Sequence, residues 1–368
     1  MNGTEALHKI GQSLWLDNIT RGLIDGGTLA KYLRDFHVTG LTSNPAIFDH
    51  AIGKTDFYDE AIARKATEGK SGEPLFFDLA IEDLTRAADL FQPVHKATAG
   101  VDGWVSLEVS PLLVDDAAGT VREALRLHGL AKRDNLFIKI PGTPAGITAI
   151  EESIFAGVPI NVTLLFSRQQ YLAACEAYLR GIERRVAAGL DPKVASVASI
   201  FVSRWDVAVK DLVPQALHNR LGIAIAQRTY QAYLEQLASP RWHKLAAAGA
   251  MEQRLLWAST GTKDPAASDT LYLEALAAPN TINTIPEKTL HAFADHGVVR
   301  GAMAADAAGA EKMLVDFAQA GVDAAALATR LQREGAAAFT KSWSDLMAVI
   351  ASKSTSLAPS SASKRAGS

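Results

Sequence analysis

Eight short runs with strand character punctuate the chain, each followed by sequence that reads as helix. The runs are Ser13–Asp17, Val38–Leu41, Trp104–Ser110, Leu136–Pro141, Ile160–Phe166, Val197–Ser203, Leu255–Thr260 and Thr281–Pro286. The helical segments include Arg21–Phe36, Asp115–Leu130, Pro144–Phe155, Arg168–Ala188, Asp206–Leu237, Ala266–Ala277 and Glu287–His296. Strands that alternate with helices form a parallel sheet covered by helices. Eight such strands point to a closed (β/α)8 TIM barrel rather than an open sheet.

Two regions exceed this repeat. Residues 46–98 are too long for one crossover and predict several extra helices. An alanine-rich stretch over about 300–351, marked by Leu314, Phe317 and Val322, predicts a C-terminal helical extension. Nothing in the pattern says whether these additions cover the barrel mouth or form a subunit contact. Residues 353–368 are mostly Ser, Ala, Lys and Pro with little to bury, which predicts a disordered tail. The expectation is a single barrel domain over 1–352.

Hydrophobic residues make up 48% of the 368, enough for a large core. The net charge, 37 basic minus 40 acidic, is −3. So weak a field argues against nucleic acid or a membrane surface as partner, while leaving room for a local basic pocket. The single cysteine, Cys175, excludes an intrachain disulfide and a cysteine-cluster metal site. The opening MNGTEALHKI lacks the charged start and apolar run of a secretory leader. A cytoplasmic, reducing location is expected.

Strand side chains alternate faces, and in a barrel one face points inward. Val105, Leu107 and Val109 share one face, while Ser106, Glu108 and Ser110 share the other with Trp104. Leu136, Ile138 and Ile140 oppose Phe137 and Lys139. Leu14 and Leu16 oppose Trp15 and Asp17. Ile160, Val162, Leu164 and Phe166 oppose Asn161 and Thr163. Ser199, Phe201 and Ser203 share a parity, as do Leu255, Trp257 and Ser259. The apolar parity suits the helix side. The other carries Asp17, Glu108, Lys139, Asn161, Thr163 and Ser199, several near the strand C-termini, where barrel active sites form.

Lys139 lies in FIKIP, a strand that no surface lysine would favour. A lysine is almost never fully buried unless paired. It is either one half of a buried ion pair with Glu108 or Asp17, or a nucleophile. Desolvation favours a neutral amine, which adds to a ketone and forms a Schiff base. That chemistry needs proton transfers, which carboxylates on neighbouring strands can perform. The two readings overlap. Thr42-Ser43-Asn44-Pro45 follows the second strand, and Pro45 can open a helix there. Asn44 is then either a helix cap or a group held at the barrel mouth. Gly142-Thr143-Pro144 reads as a plain loop, with Thr143 as a cap. There is no phosphate-binding Gly-x-x-x-x-Gly-Lys-Ser/Thr, no Gly-x-Gly-x-x-Gly after a strand and no His-Glu-x-x-His. No metal and no cofactor is expected.

Eight motifs in order carry a resemblance. They are LWLDNI (14–19), GLTSNPAIF (40–48), VSLEVSP (105–111), NLFIKIP (135–141), INVTLLFS (160–167), SVASIFVSRWD (196–206), LLWASTGTKDP (255–265) and NTINTIPEKTL (280–290). The chain resembles the transaldolase family of the class I aldolase superfamily, and most closely its longer actinobacterial and cyanobacterial members. The resemblance implies a (β/α)8 barrel and transfer of a dihydroxyacetone unit between sugar phosphates in the non-oxidative pentose phosphate pathway. It implies that Lys139 is the Schiff-base lysine and Asp17 the acid/base at the C4 hydroxyl. It implies that Glu108 acts through a water held with Thr163, and that Asn44, Asn161 and Ser199 bind the dihydroxyacetone unit. Phe201 and Arg204 keep the family spacing Ser-x-Phe-x-x-Arg. Arg204 and Ser259 match phosphate contacts. Many members place an arginine two residues after the serine matched by Ser259. Here that position is Gly261, so Lys263 is either its replacement or a solvated loop lysine.

Three rivals remain in view. A fructose 6-phosphate aldolase of the same superfamily is a lyase, but such enzymes carry glutamine at the Glu108 position and tyrosine at the Phe201 position. A pyridoxal-phosphate barrel isomerase also uses a strand lysine and a phosphate site. A scaffold that has lost its chemistry sits poorly with Asp17, Glu108, Lys139 and Thr163 together. The expected partners are sugar-phosphate substrates, and the chain is expected to be a monomer or a homodimer.

Overall fold

The computed structural model describes residues 2–357. Its strands are β1 (Ser13–Leu16), β2 (Val38–Leu41), β3 (Val105–Glu108), β4 (Leu136–Pro141), β5 (Ile160–Leu165), β6 (Ser196–Phe201), β7 (Gln253–Ala258) and β8 (Ile282–Ile285). Each pairs in parallel with its sequence neighbour, and β8 closes on β1. This is the (β/α)8 barrel expected from the strand count. All eight strands are buried along their length, as a sheet covered by helices requires.

Two apolar layers follow from the alternation. Leu14, Leu16, Leu107, Ile138, Ile140, Val162, Leu255 and Trp257 pack against the surrounding helices. Trp15, Trp104, Phe137, Val197, Leu256 and Ile282 belong to a second cluster inside the barrel. Phe137, Val197 and Ile282 come from the first halves of β4, β6 and β8, and Trp104 lies just before β3, so together they plug the foot of the barrel. Trp104 stacks on Phe137 at 4.0 Å between ring centroids, and the Trp15 indole donates to Asp102 Oδ1 at 2.8 Å. Gly40 makes room for this plug, since a Cβ there would lie 2.8 Å from the Trp15 ring. Burying a side chain such as Phe137 contributes about 1.5–3 kcal/mol. Arg254 is a polar exception at this end, where it donates to Ser13 Oγ at 2.8 Å and to Thr281 O at 3.1 Å.

The alternation fails at the end of β5. Leu164 takes the left-handed conformation, φ 57°, and the β5–β6 register shifts there. Leu164 and Phe166 therefore turn into the inner cluster, and Leu165 takes the helix-facing place. The expected sharing of a face by Ile160, Val162, Leu164 and Phe166 holds only for the first two. Such a backbone costs a non-glycine residue on the order of 1–3 kcal/mol and persists only where its surroundings fix it.

Several helices are also shorter than their patterns. Arg21–Phe36 divides at Gly26–Gly27 into Arg21–Asp25 and Thr28–Phe36. Asp206–Leu237 divides into Ser203–Val209 and Leu221–Leu237, because Pro214 and the left-handed Asn219 interrupt it. Ala266–Ala277 is helical only over Leu271–Ala275. The 46–98 insertion carries three helices, Pro45–Lys54, Asp59–Thr67 and Gly72–Ala97. The C-terminal extension comprises Ala308–Gln319 and Ala324–Ser356. Residues 353–356, assigned by composition to the tail, continue that last helix, and Lys353 donates to Thr55 O at 2.7 Å. The remainder of the expected tail, 358–368, lies outside the described residues.

The last helix packs on the insertion helices. Trp343 meets Phe76 edge-on at 4.9 Å, and its indole donates to Glu73 Oε1 at 3.0 Å. Glu73 Oε1 also accepts from Ser110 Oγ, just beyond β3, at 2.9 Å. The last helix thus reaches the C-terminal end of the barrel. No helix among the described residues is long and apolar enough to cross a membrane.

Candidate active site

Sheet register brings the central residues together. Glu108 pairs with Lys139 across β3 and β4, and Lys139 pairs with Asn161 across β4 and β5. All three share the inward parity, so their side chains form a row. Lys139 Nζ lies 3.2 Å from Glu108 Oε2 and donates to Ser43 O at 2.9 Å. Both partners of this ion pair are about nine-tenths buried or more, at 6% and 7% side-chain exposure.

A cavity of about 120 Å³ opens above the row. Asp17, Asn44, Lys139, Thr163, Ser199, Phe201, Arg204, Ser259 and Lys263 all line it. Glu108 and Asn161 lie immediately beside it. Asn161 donates to Ser106 Oγ at 3.1 Å and accepts from Ser199 Oγ at 2.7 Å, which orients its amide. Every side chain singled out in the sequence therefore gathers at one end of the barrel.

Asp17 is separate from the Lys139–Glu108 pair. Its Oδ1 accepts from Thr42 Oγ1 at 2.8 Å, and Thr42 meets Thr284 Oγ1 at 2.7 Å. Burial pushes the Asp17 carboxyl above its ordinary range, and Lys139 is the strongest opposing attraction. Burial raises Glu108 as well, again opposed chiefly by Lys139. Two carboxyls with raised affinity for protons, flanking one amine, suit reversible proton transfer. Thr163 Oγ1 is buried and makes no hydrogen bond, a group ready to hold a reactant or a water.

Asn44 meets both of its readings. Its Oδ1 caps Pro45–Lys54 by accepting from Ile47 N at 3.1 Å, and the same side chain lines the cavity. Thr143 caps Pro144–Phe155 as expected.

The outer part of the cavity is cationic. Arg204 and Lys263 stand there with Ser259 and Gly261. Arg204 lies over the Phe201 ring at 5.2 Å, and burial pulls its guanidinium down from its ordinary value. Shared parity with Leu255 and Trp257 predicts the helix side for Ser259. It takes φ 55° instead and so turns to the mouth, where its Oγ meets Ser203 Oγ at 3.0 Å. Lys263 itself is exposed. Its loop is anchored next door, where Asp264 accepts from Asn219 Nδ2 at 2.9 Å and from Lys210 at 3.2 Å.

Several contributors escaped the sequence reading. Thr42 and Thr284 carry an inward parity at the ends of β2 and β8, a signal that could have been used. Ser43 acts through its carbonyl, which no side-chain pattern reveals. Phe339 lines the cavity from the last helix, with its ring centroid 6.0 Å from Lys139 Nζ. Its one trace in the sequence is the stripe Leu331, Gly335, Phe339 and Trp343, which marks a buried face without saying what covers it.

Fold and site together define a (β/α)8 barrel whose strand lysine is set between buried carboxyls beside a cationic pocket. The sequence model of the transaldolase/fructose-6-phosphate aldolase family matches residues 14–350, and the chain belongs to that family of enzymes. It is 45% identical to a transaldolase of Thiobacillus denitrificans, over 95% of this chain and 100% of the relative. It is 42% identical to a transaldolase of Neisseria gonorrhoeae, over 93% of this chain and 97% of the relative. It is 43% identical to transaldolase 1 of Streptomyces avermitilis, over 94% of each.

Proposed function

We propose that the chain is a transaldolase of the non-oxidative pentose phosphate pathway, acting without a cofactor. It moves a dihydroxyacetone unit from sedoheptulose 7-phosphate or fructose 6-phosphate to glyceraldehyde 3-phosphate or erythrose 4-phosphate. The observation that carries this reading is the buried Lys139–Glu108 pair at the floor of a cavity whose rim is cationic.

The Lys139 amine adds to the C2 carbonyl of the ketose. Glu108, with Thr163 and a water, supplies a proton to the carbinolamine oxygen, and water leaves. The protonated imine is an electron sink beside C3. Asp17 takes the C4 hydroxyl proton, the C3–C4 bond breaks, and its electrons pass into the imine as an enamine. The aldose phosphate departs. The enamine then bonds to the aldehyde carbon of an acceptor, whose oxygen receives the proton from Asp17. Hydrolysis of the new imine frees the product and restores Lys139. Asn44, Asn161 and Ser199 hold the three-carbon unit meanwhile. Arg204, Ser259 and Lys263 take the phosphate, the guanidinium as a fork and the ammonium as a point charge.

The sister lyase activity fits less well. Glu108 and Phe201 are the residues at which such lyases differ. The test is release of glyceraldehyde 3-phosphate from fructose 6-phosphate with and without erythrose 4-phosphate. Acceptor-dependent release is the expected result. Equal release without acceptor would mean a lyase. The enzyme is proposed to be cytoplasmic and to act as a monomer or homodimer.

A further inference from the structure

Phe339 reaches the cavity from a helix that is fixed to the barrel on both sides of it. Before it, Gln332 Nε2 donates to Gly142 O and to Leu164 O, each at 2.9 Å. Those two carbonyls terminate the strands that bear Lys139 and Thr163. The left-handed turn at Leu164 is what interrupts the β5–β6 ladder at this point. At Gly335 a Cβ would sit 2.9 Å from Leu164 Cδ2 and 3.3 Å from Arg204 Nη1, so the helix lies against the rim itself. Beyond Phe339, Trp343 is bonded through Glu73 to Ser110. The ring between these anchors is 7% exposed and packs in the same apolar cluster as Phe166 and Phe201.

The consequence concerns the enamine, and it rests on the Schiff-base reading above. That intermediate has two fates. Its C3 can bond to an aldehyde carbon, which is transfer. Alternatively C3 takes a proton, water adds to C2 of the resulting imine, and dihydroxyacetone leaves with Lys139 restored, which is lysis. Lysis needs a proton source and a water at atoms that an apolar wall can shield. We propose that Phe339 is the specificity-determining residue that favours transfer over lysis by keeping bulk water, beyond the one held by Glu108 and Thr163, from the Lys139-bound three-carbon unit. The C-terminal helix is then part of the reaction chamber, and its anchors set how closely the ring fits.

The experiment compares wild type with Phe339→Ala and Phe339→Leu. For each, dihydroxyacetone released from fructose 6-phosphate without acceptor is measured against transfer to erythrose 4-phosphate. Phe339→Ala is expected to raise the lysis-to-transfer ratio by about tenfold or more, equivalent to ~1.4 kcal/mol between the two barriers, with Phe339→Leu between it and wild type. Borohydride trapping of dihydroxyacetone on Lys139 is run on all three. A trapped lysine with an unmoved ratio overturns the role of Phe339 alone. Failure of wild type to trap overturns the Schiff-base reading and this inference with it. If Phe339→Ala does not fold, Phe339→Leu decides by the same ratio.

Discussion

Lys139 and Glu108 stand opposite one another on adjacent parallel strands, with Nζ 3.2 Å from Oε2 and almost no solvent at either side chain. The pair is buried deeply enough that its members are matched to each other rather than to water. Removing one leaves an uncompensated buried charge. Its position at the C-terminal end of the barrel, under a cavity, makes it chemical as well as structural.

Replacing Lys139 by alanine is expected to reduce transfer by at least ~10³-fold, because the covalent route is lost. Borohydride in the presence of fructose 6-phosphate should label wild type and leave the variant unlabelled. Turnover within tenfold of wild type would falsify the proposed mechanism.

Asp17→Asn separates imine formation from bond cleavage. Trapping on Lys139 should persist while cleavage falls by about 10²–10⁴-fold, the range for loss of a general base. Burial holds the Asp17 carboxyl above its ordinary range, and the base must be ionised to act. The acid limb of the kcat/KM profile should therefore appear at higher pH than an ordinary aspartate, near 4, would give. A variant that still cleaves at the wild-type rate would remove Asp17 from this role.

The cationic rim predicts a selective change in KM. Arg204→Ala and Lys263→Ala should each raise KM for phosphorylated ketoses and leave trapping of unphosphorylated dihydroxyacetone unaltered. Arg204 is the more buried of the two and should have the larger effect. Because Asp264 anchors the Lys263 loop to Asn219 and Lys210, Asp264→Ala should raise the same KM without touching the cavity. An unchanged KM in Lys263→Ala would mark it as a solvated loop lysine.

Asp206 makes a prediction about stability rather than rate. Its carboxylate accepts from Leu221 N at 2.8 Å and from Tyr272 Oη at 2.8 Å, joining the helix that bears Arg204 to its neighbours. Burial nevertheless outweighs these bonds and pushes the group up from 3.8 to about 6. The folded state thus binds the proton more tightly than the unfolded chain does. The stabilisation is present below pH ~4 and is lost as pH rises through 6, a change of about 3 kcal/mol. Relative to Asp206→Asn, the wild-type Tm should fall between pH 4 and pH 7. A constant difference in Tm across that window would show that the carboxyl titrates normally.

The chain sequence carried the barrel and most of the site for local reasons. Alternation within each short strand decides which side chains face inward, and FIKIP states plainly that a lysine is buried among aliphatics. Helix ends were readable where a cap or proline marks them, as at Thr143-Pro144, and misread where a break lies inside an amphipathic run, as at Pro214. Parity arguments failed at Leu164 and Ser259 because both adopt left-handed backbone, which lets a side chain change faces without any change in residue pattern.

What the sequence alone determined was a (β/α)8 barrel with Asp17, Glu108, Lys139 and Thr163 turned inward, since strand periodicity is a local property. What only the tertiary structure decided was the closure of the site. Thr42 meets Asp17, the Ser43 carbonyl meets Lys139, and Phe339 crosses from the far end of the chain to cover that lysine. Those contacts depend on sheet register and on one helix lying across the mouth, and packing between residues distant in sequence sets both.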